Sequence, residues 1–142
     1  MAPEADPFDL QRFVDAQAPV YEQVLRELQA GRKRSHWSWF IFPQLRGLGS
    51  SPMATRYAIG SLAEAQAYLA HPVLGPRLEA CVALVNQVEG RSAEAILGPP
   101  DDLKFRSCVT LFSQAAPDRR VFQDALDKYF AGAPDPRTLE RL

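Results

Sequence analysis

The chain has 142 residues, of which 46% are hydrophobic and 23% are charged, and its formal net charge is −1. This is an ordinary globular composition, long enough for one domain that buries about two-thirds of its unfolded surface, and the near-zero charge argues against a general nucleic-acid binder. No apolar run approaches the ~20 residues that cross a bilayer, and the acidic N-terminus lacks an apolar signal core, so we expect a cytoplasmic protein without membrane contact.

The first elements are short. Residues 1–7 are polar and rich in proline, and we predict a disordered N-terminal tail followed by a single helical domain over residues 8–142. Apolar residues at helical spacing begin at Phe8, and Pro19 divides the pattern into two short helices. The second helix is expected to end at Gly31, because glycine tolerates the positive φ of a helix C-terminus.

A basic cluster at residues 32–34 then runs directly into an aromatic block that holds both tryptophans, Trp37 and Trp39. We predict a short helix from Ser35 through Phe42, ended by Pro43. No acidic residue occurs between positions 27 and 64, whereas the same stretch contains Arg32, Lys33, Arg34, Arg46 and Arg56. A positive field of this kind attracts anions.

The remaining helices are predicted from caps and periodicity. Residues 47–52 have the composition of a loop, and Ser61 with Glu64 has the form of a capping box that begins a helix over about 62–70. His71 and the proline after it mark a helix boundary. Further helical patterns begin near Leu74, Ser92, Asp101 and Pro117.

No segment alternates apolar and polar residues between hairpin turns, so the predicted fold is all-α. The helices are short and punctuated by proline, which favours an irregular orthogonal packing over an up-down four-helix bundle.

One candidate site lies in the aromatic segment. If residues 33–42 are helical, Lys33, His36, Trp37 and Phe40 project from one side, and Gln44 closes that side. A cation, an imidazole and aromatic faces together suit a nucleotide-like ligand. The alternative is that the aromatic residues belong to the core and the cations extend to water.

A second candidate site begins with paired acids. Asp101, Lys104 and Ser107 recur at every third position along a polar strip, and Lys104 and Ser107 are suitable donors to an oxyanion or a sugar hydroxyl. Asp101 or Asp102 can instead cap the helix, and Asp102 can pair with Arg106 on its surface.

Other chemistry has weak support. Cys81 and Cys108 occur among apolar residues at helical spacing, so we expect buried thiols and no disulfide. The two histidines lack the spacing of common zinc motifs, and we predict no metal and no cofactor. Phosphate-loop, nucleophile-elbow and zincin motifs are absent from the sequence.

The chain resembles a bacterial family catalogued as domain of unknown function 1810, over nearly its whole length. The resemblance rests on spaced motifs that include Gly31-Arg32-Lys33, Ser35-His36-Trp37, Phe40-Ile41-Phe42-Pro43-Gln44, Gly47-Leu48-Gly49, Tyr57-Ala58-Ile59, His71-Pro72, Asp101-Asp102, Lys104 and Arg106-Ser107. It implies a mainly helical fold and no particular activity. Ser38 stands where the family often has Met, and Cys108 where it often has Ser. Some members have been labelled calpastatin, but a continuous core pattern is unlike a disordered protease inhibitor.

Two functional hypotheses follow. In the first, an anionic ligand resembling a nucleotide or ADP-ribose occupies a pocket lined by Lys33, His36, Trp37, Gln44, Lys104 and Ser107. A faint similarity to helical N-glycosidases that act on ADP-ribose-linked compounds suggests hydrolysis of a glycosidic bond, with Asp101 or Asp102 as the carboxylate and His36 as the proton donor. In the second, a non-catalytic module docks an acidic protein or a nucleic-acid backbone through Arg32, Lys33, Arg34 and Arg46.

Overall fold

The computed structural model describes residues 6–142, which form ten helices. They are α1 Gln11–Gln17, α2 Tyr21–Gln29, α3 Ser38–Ile41, α4 Pro52–Arg56, α5 Leu62–Ala70, α6 Leu74–Gln87, α7 Ala93–Leu97, α8 Asp101–Ala115, α9 Arg120–Tyr129 and α10 Pro136–Arg141. Over these residues no β-strand forms, and only an isolated parallel bridge joins Leu45 to Ile59. The all-α prediction is therefore confirmed.

Helix α8 is the centre of the fold. It packs against α5, α7, α9 and α10, and residues 107–113 are all buried. Because neighbouring elements surround this part of α8, its side chains are shielded from water. The buried hydroxyl groups of this stretch therefore form their hydrogen bonds within the protein. Placing α8 at the centre also brings its first turn against the aromatic segment.

Aromatic rings connect the helices across the core. Phe13 of α1 meets Tyr68 of α5 edge-on at 5.1 Å, Tyr68 lies 5.3 Å from Phe112 of α8, and Phe112 lies 5.7 Å from Phe122 of α9. Aromatic pairs at these separations contribute about 0.5–1.5 kcal/mol each beyond the area they bury. This chain of contacts fixes α1, α5 and α9, which are too short to be stable alone, against the longer α8.

Several local predictions are confirmed. Helix α5 has the predicted bounds, and Ser61 Oγ accepts from the backbone N–H of Glu64 at 3.1 Å. Gly31 follows the end of α2 with φ +71°. His71 ends α5, and its Nδ1 accepts from the backbone N–H of Val73 at 3.1 Å, so its side chain serves the helix boundary.

Other local predictions are wrong. The helix expected over residues 35–42 covers only Ser38–Ile41, because Ser35 bonds to Glu27 instead of capping it. Neither Asp101 nor Asp102 caps α8, whose N-cap is Pro100 without a side-chain hydrogen bond.

Two short helices were not predicted. Ser51 caps α4, with Pro52 at its first position. Helix α10 likewise begins with a proline, Pro136, but its N-cap residue Asp135 forms no side-chain capping hydrogen bond. Proline is favoured at a helix start because it has no N–H to leave unpaired. The signal was present at both positions, but each pattern is too short for hydrophobic periodicity to reveal it.

Both cysteines are buried and free, as predicted. The predicted tail lies mostly outside the described residues; of its last two residues, Asp6 accepts from the backbone N–H groups of Leu10 and Gln11 at 2.8 and 3.0 Å. None of the helices described is long and apolar enough to cross a bilayer.

Candidate functional site

The buried carboxylate of Glu27 organises the basic segment. Its Oε1 accepts from the backbone N–H groups of Arg34 and Ser35, at 2.7 and 2.9 Å, and from Trp37 Nε1 at 3.1 Å. Its Oε2 accepts from Ser35 Oγ and from Gln23 Nε2, both at 2.7 Å. Residues 34–37 are therefore held by a side chain of α2 and not by helical hydrogen bonds.

These donors also set the charge of the carboxylate. Burial alone raises the pKa of Glu27, but the hydrogen bonds from Arg34, Ser35 and Gln23 act more strongly in the opposite direction and lower it to about 2. No sequence motif identifies Glu27, which is distinguished in the sequence only as the last acidic residue before the basic segment. Its role depends on how the chain reverses at Gly31.

Lys33 joins this segment to the start of α8. Its Nζ lies 2.9 Å from Asp101 Oδ2 and 4.9 Å from the Trp37 ring centroid, and it also donates to the carbonyl of Ser35. The backbone N–H of Lys33 donates to the carbonyl of Ile96 at 2.7 Å. Only 6% of the Lys33 side chain is exposed, so its charge is balanced inside the protein by Asp101.

Lys104 lies on the other side of Asp101. Its Nζ is 3.9 Å from Asp101 Oδ1 and 5.8 Å from the ring centroid of Trp39, which is half-buried. Below this contact is a narrow cleft, which we call the tryptophan cleft. It is lined by Ser38, Trp39, Phe42, Gln44, Ala54, Tyr57 and Lys104.

The tryptophan cleft is almost closed in this conformation. Its accessible volume is about 10 Å³, which is room for one water molecule at most. Sites that enclose a whole small molecule usually offer ~300 Å³ or more. A ligand larger than water therefore enters only if a flexible lining group such as Lys104, whose side chain is 28% exposed, moves aside.

The remaining candidate residues are placed as follows. His36 is exposed on the loop before α3, and Gln44 is half-buried in the wall of the cleft. Asp102 is partly exposed, but its Oδ1 is buried and has no hydrogen-bond partner among residues 6–142. Lys33, Asp101, Lys104 and the aromatic segment are thus brought together across more than sixty positions of sequence.

Trp37 and Ser107, which were predicted to line the ligand pocket, both bond to other parts of the protein instead. Trp37 is 1% exposed and bonded to Glu27, so it belongs to the core. The predicted common face of Lys33, His36, Trp37 and Phe40 does not exist, because residues 33–37 are not helical.

Ser107 is also engaged within the protein. It donates to Asp135 Oδ2 at 2.8 Å, and the same oxygen accepts from Thr138 Oγ1 at 2.6 Å. Burial raises the pKa of Asp135, but the two hydroxyl donors, together with the backbone N–H groups of Arg137 and Thr138, outweigh it, and the pKa lies below its usual value. The Ser107 hydroxyl therefore anchors the segment before α10.

The other basic residues do not form one surface. Arg32 and Arg34 are exposed on the loop after α2, whereas Arg46 lines a separate cleft with Arg12 and Arg56. The predicted docking patch therefore does not form as expected: Lys33 is buried, Arg32 and Arg34 lie on one loop, and Arg46 lies in a separate cleft.

The protein is thus a compact all-α protein. The ion pair between Lys33 and Asp101 joins its aromatic segment to the first turn of the central helix α8. The chain belongs to the family described as protein of unknown function DUF1810, whose model matches residues 7–142. The resemblance drawn from the sequence motifs is confirmed. Comparison with curated proteins gave no match.

A solved structure is very similar to this chain. It is the conserved hypothetical protein Rv1873 from Mycobacterium tuberculosis, with 64% sequence identity and a TM-score of 0.95. The match covers 96% of this chain and 98% of that protein. The likeness establishes the fold over nearly the whole length of both chains and names no activity.

Proposed function

We propose that the protein binds an anionic small molecule with a flat ring, of the nucleotide or ADP-ribose type, at the tryptophan cleft. The observation that supports this proposal is the meeting of Asp101 and Lys104, from the first turn of α8, with Trp39 and Gln44 of the aromatic segment. An ammonium group, a carboxylate, an amide and an indole then lie within reach of one ligand.

Each group has a distinct role in this proposal. The exposed part of the Trp39 ring stacks on the base, and Lys104 pairs with the anionic group. Gln44 offers both a donor and an acceptor to the ring edge. Lys33 is not the ligand's cation, because its ammonium group is committed to Asp101; it positions that carboxylate.

Opening the cleft costs little. The Lys104 ammonium is 3.9 Å from Asp101, and 28% of its side chain is exposed. Partly exposed ion pairs of this length contribute about 0–1 kcal/mol. A ligand that offers Lys104 a better anionic partner therefore recovers the cost of moving the side chain.

The reaction that we propose for such a ligand is hydrolysis of a glycosidic bond. Asp101 is the carboxylate that stabilises the positive charge developing on the sugar, and His36 donates a proton to the leaving group. Asp102 is the second carboxylate in the same turn. The cytoplasm, where nucleotides are abundant, is the compartment that we propose for this activity.

Binding is tested with AMP and ADP-ribose, and with adenosine as the uncharged probe, by isothermal calorimetry. Replacing Lys104 by alanine is expected to weaken AMP binding roughly tenfold or more, since a hydrogen bond to a charged group is worth about 1.5–3 kcal/mol. Adenosine binding should change little.

Lys128 provides a matched control. Its side chain is 30% exposed, lies 5.5 Å from the ring centroid of Tyr129, and is 3.4 Å from a Glu89 carboxylate oxygen. Lys128→Ala thus removes a lysine that also lies near an aromatic ring and a carboxylate, away from the cleft, and should leave AMP binding unchanged. Because Lys128 also donates to the backbone carbonyls of Asn86 and Val88, circular dichroism checks that the variant folds. Equal weakening in both variants, or no saturable binding of any probe to the natural protein, would refute the proposed site.

The catalytic step is tested with an ADP-ribose glycoside by measuring the release of ADP-ribose. Asp101→Asn and His36→Ala are each expected to lower the rate about a hundredfold or more. Because Asp101→Asn also leaves the ammonium group of Lys33 without its partner, the thermal unfolding midpoint of that variant is measured together with its rate, at a temperature where the variant is folded. Binding without any release by the natural protein would limit the site to recognition. Release that survives Asp101→Asn would show that another group supplies the carboxylate.

A docking surface is the second candidate function. Arg32 and Arg34 are both exposed, and the loop that carries them is fixed by Glu27. Such a pair suits an acidic protein or a nucleic-acid backbone and predicts retention at low salt that is lost at high salt. Arg32→Ala with Arg34→Ala should abolish that retention while His36→Ala preserves it; salt-independent retention would exclude this function.

A further inference from the structure

A larger cleft lies apart from the tryptophan cleft and contains none of the predicted catalytic residues. We call it the arginine cleft. It has a volume of about 720 Å³ and is lined by Pro7, Phe8, Asp9, Arg12, Arg46, Thr55, Arg56, Gly60, Ser61 and Glu64. This volume lies within the range of ordinary small-molecule sites.

The floor of the arginine cleft is rigid and electrically balanced. The Arg12 Nη2 atom lies 3.0 Å from Glu64 Oε2 and donates to the carbonyl of Ala58 at 2.9 Å, and its Nε donates to the carbonyl of Arg56 at 2.9 Å. The second oxygen of Glu64 accepts from the backbone N–H of Gly60 at 3.0 Å. Arg12 and Glu64 thus use each other's charge and leave none for a ligand.

The walls, in contrast, carry cations without a carboxylate partner, although the Arg56 guanidinium lies 5.6 Å from the ring centroid of Tyr57. Arg46 and Arg56 are both exposed, and within residues 6–142 neither forms an ion pair with a carboxylate. Arg46 lies over Gly60, where a Cβ atom would be 3.4 Å from its Nη2. Apart from Glu64, which is paired with Arg12, the acidic residue that lines the cleft is Asp9. The charged groups outside that pair are therefore two arginines and one aspartate.

The chemistry of these walls suits a phosphate. A guanidinium group is a planar fork that can pair with two phosphate oxygens, and a pair of them prefers a doubly charged oxyanion. The hydroxyls of Thr55 and Ser61 can add neutral donors. Asp9 offers an acceptor to a hydroxyl on the remainder of the ligand.

We propose that the arginine cleft binds a phosphate monoester of a small sugar, which carries hydroxyl groups but no flat ring, with Arg46 and Arg56 holding the phosphate. The volume of the cleft exceeds what a free phosphate fills, which is why an ester is the expected form. This site is independent of the function proposed for the tryptophan cleft, because the two clefts have no lining residue in common.

The test uses the full chain with glucose 6-phosphate, inorganic phosphate and glucose as probes, measured by isothermal calorimetry. Glucose 6-phosphate should bind saturably, inorganic phosphate more weakly, and glucose not at all. Arg46→Gln and Arg56→Gln should each weaken the ester roughly tenfold or more, since each removes a charge-assisted pair. Both side chains are exposed, so the variants are expected to fold, and circular dichroism checks that they do.

Arg120→Gln is the matched control, because Arg120 is 71% exposed and lies on α9. It should bind the ester as the natural protein does. Equal losses in all three arginine variants, or no saturable binding of either phosphate, would overturn the proposal. Binding that is lost in Lys104→Ala and kept in Arg46→Gln would also overturn it, by placing the phosphate in the tryptophan cleft. Equal affinity for the ester and for inorganic phosphate would replace the ester by free phosphate as the ligand and refute the ester assignment.

Discussion

Replacing Glu27 by glutamine tests the central feature of the candidate site, the carboxylate that holds residues 34–37. Glutamine has nearly the same shape but no charge, so it removes the charge-assisted part of the hydrogen bonds from Arg34, Ser35 and Trp37. Its NH2 group also cannot accept the hydrogen bonds that the second carboxylate oxygen accepts. We expect the variant to fold and to be less stable, with the basic loop less firmly held.

The magnitude follows from the pKa. The pKa of Glu27 falls from an ordinary value of 4.5 to about 2. Each pKa unit corresponds to about 1.4 kcal/mol, so the ionised carboxylate stabilises the folded state by about 3 kcal/mol. Because the folded-state pKa is the lower one, this contribution is complete above about pH 5 and is lost as the pH falls toward 2.

The assay is urea unfolding followed by far-UV circular dichroism between pH 2.5 and 7. At pH 7, Glu27→Gln should lower the free energy of unfolding by about 3 kcal/mol, and the gap from the natural protein should narrow as the pH falls. Glu22→Gln is the matched control, because Glu22 is exposed on the same helix. A loss below 1 kcal/mol at pH 7, or a gap that stays constant with pH, would refute the reasoning.

Two further predictions concern the core. Gly75→Ala should lower the free energy of unfolding by about 3 kcal/mol in the same urea assay, because the new Cβ would lie 2.1 Å from the carbonyl oxygen of Leu69 and must force α5 and α6 apart; a loss below 1 kcal/mol would contradict this. Burial raises the pKa of the Cys81 thiol to about 12 and also raises that of Cys108. An aromatic disulfide reagent at pH 8 should therefore label both thiols only after urea unfolds the chain, and rapid labelling of either in the folded protein would be inconsistent with the structure.

The fold was largely predictable because its signals are local. The capping serine at position 61 and the proline after His71 define the bounds of α5, and the glycine at position 31 ends the turn after α2, whatever the rest of the chain does. The periodic apolar residues of α6 and α8 likewise identify helices before any packing is known. Short α4 and α10 were missed because each offers only a serine or aspartate followed by a proline.

The candidate site was predictable only in part. Lys33, Asp101 and Lys104 were all named from the sequence, but their pairing depends on the path of the chain between α2 and α8. Helical spacing placed Trp37 on a ligand-binding face, whereas Glu27 draws its indole into the core. A buried carboxylate such as that of Glu27 can accept the backbone N–H hydrogen bonds of a segment in place of helical carbonyl groups, so the segment need not be helical. No rule of residue spacing identifies such a carboxylate in advance.

The sequence by itself determined an all-α domain, most of its helix boundaries, its buried thiols and its family, because these depend on periodicity, caps and spaced motifs along the chain. Only the tertiary structure decided which charged side chains are paired within the protein and which remain available to bind a ligand. Lys33 and Arg12 are neutralised by Asp101 and Glu64, whereas Arg46 and Arg56 face an open cleft. The physical reason is that a charge acts through distance in space and burial, neither of which is fixed until distant segments meet.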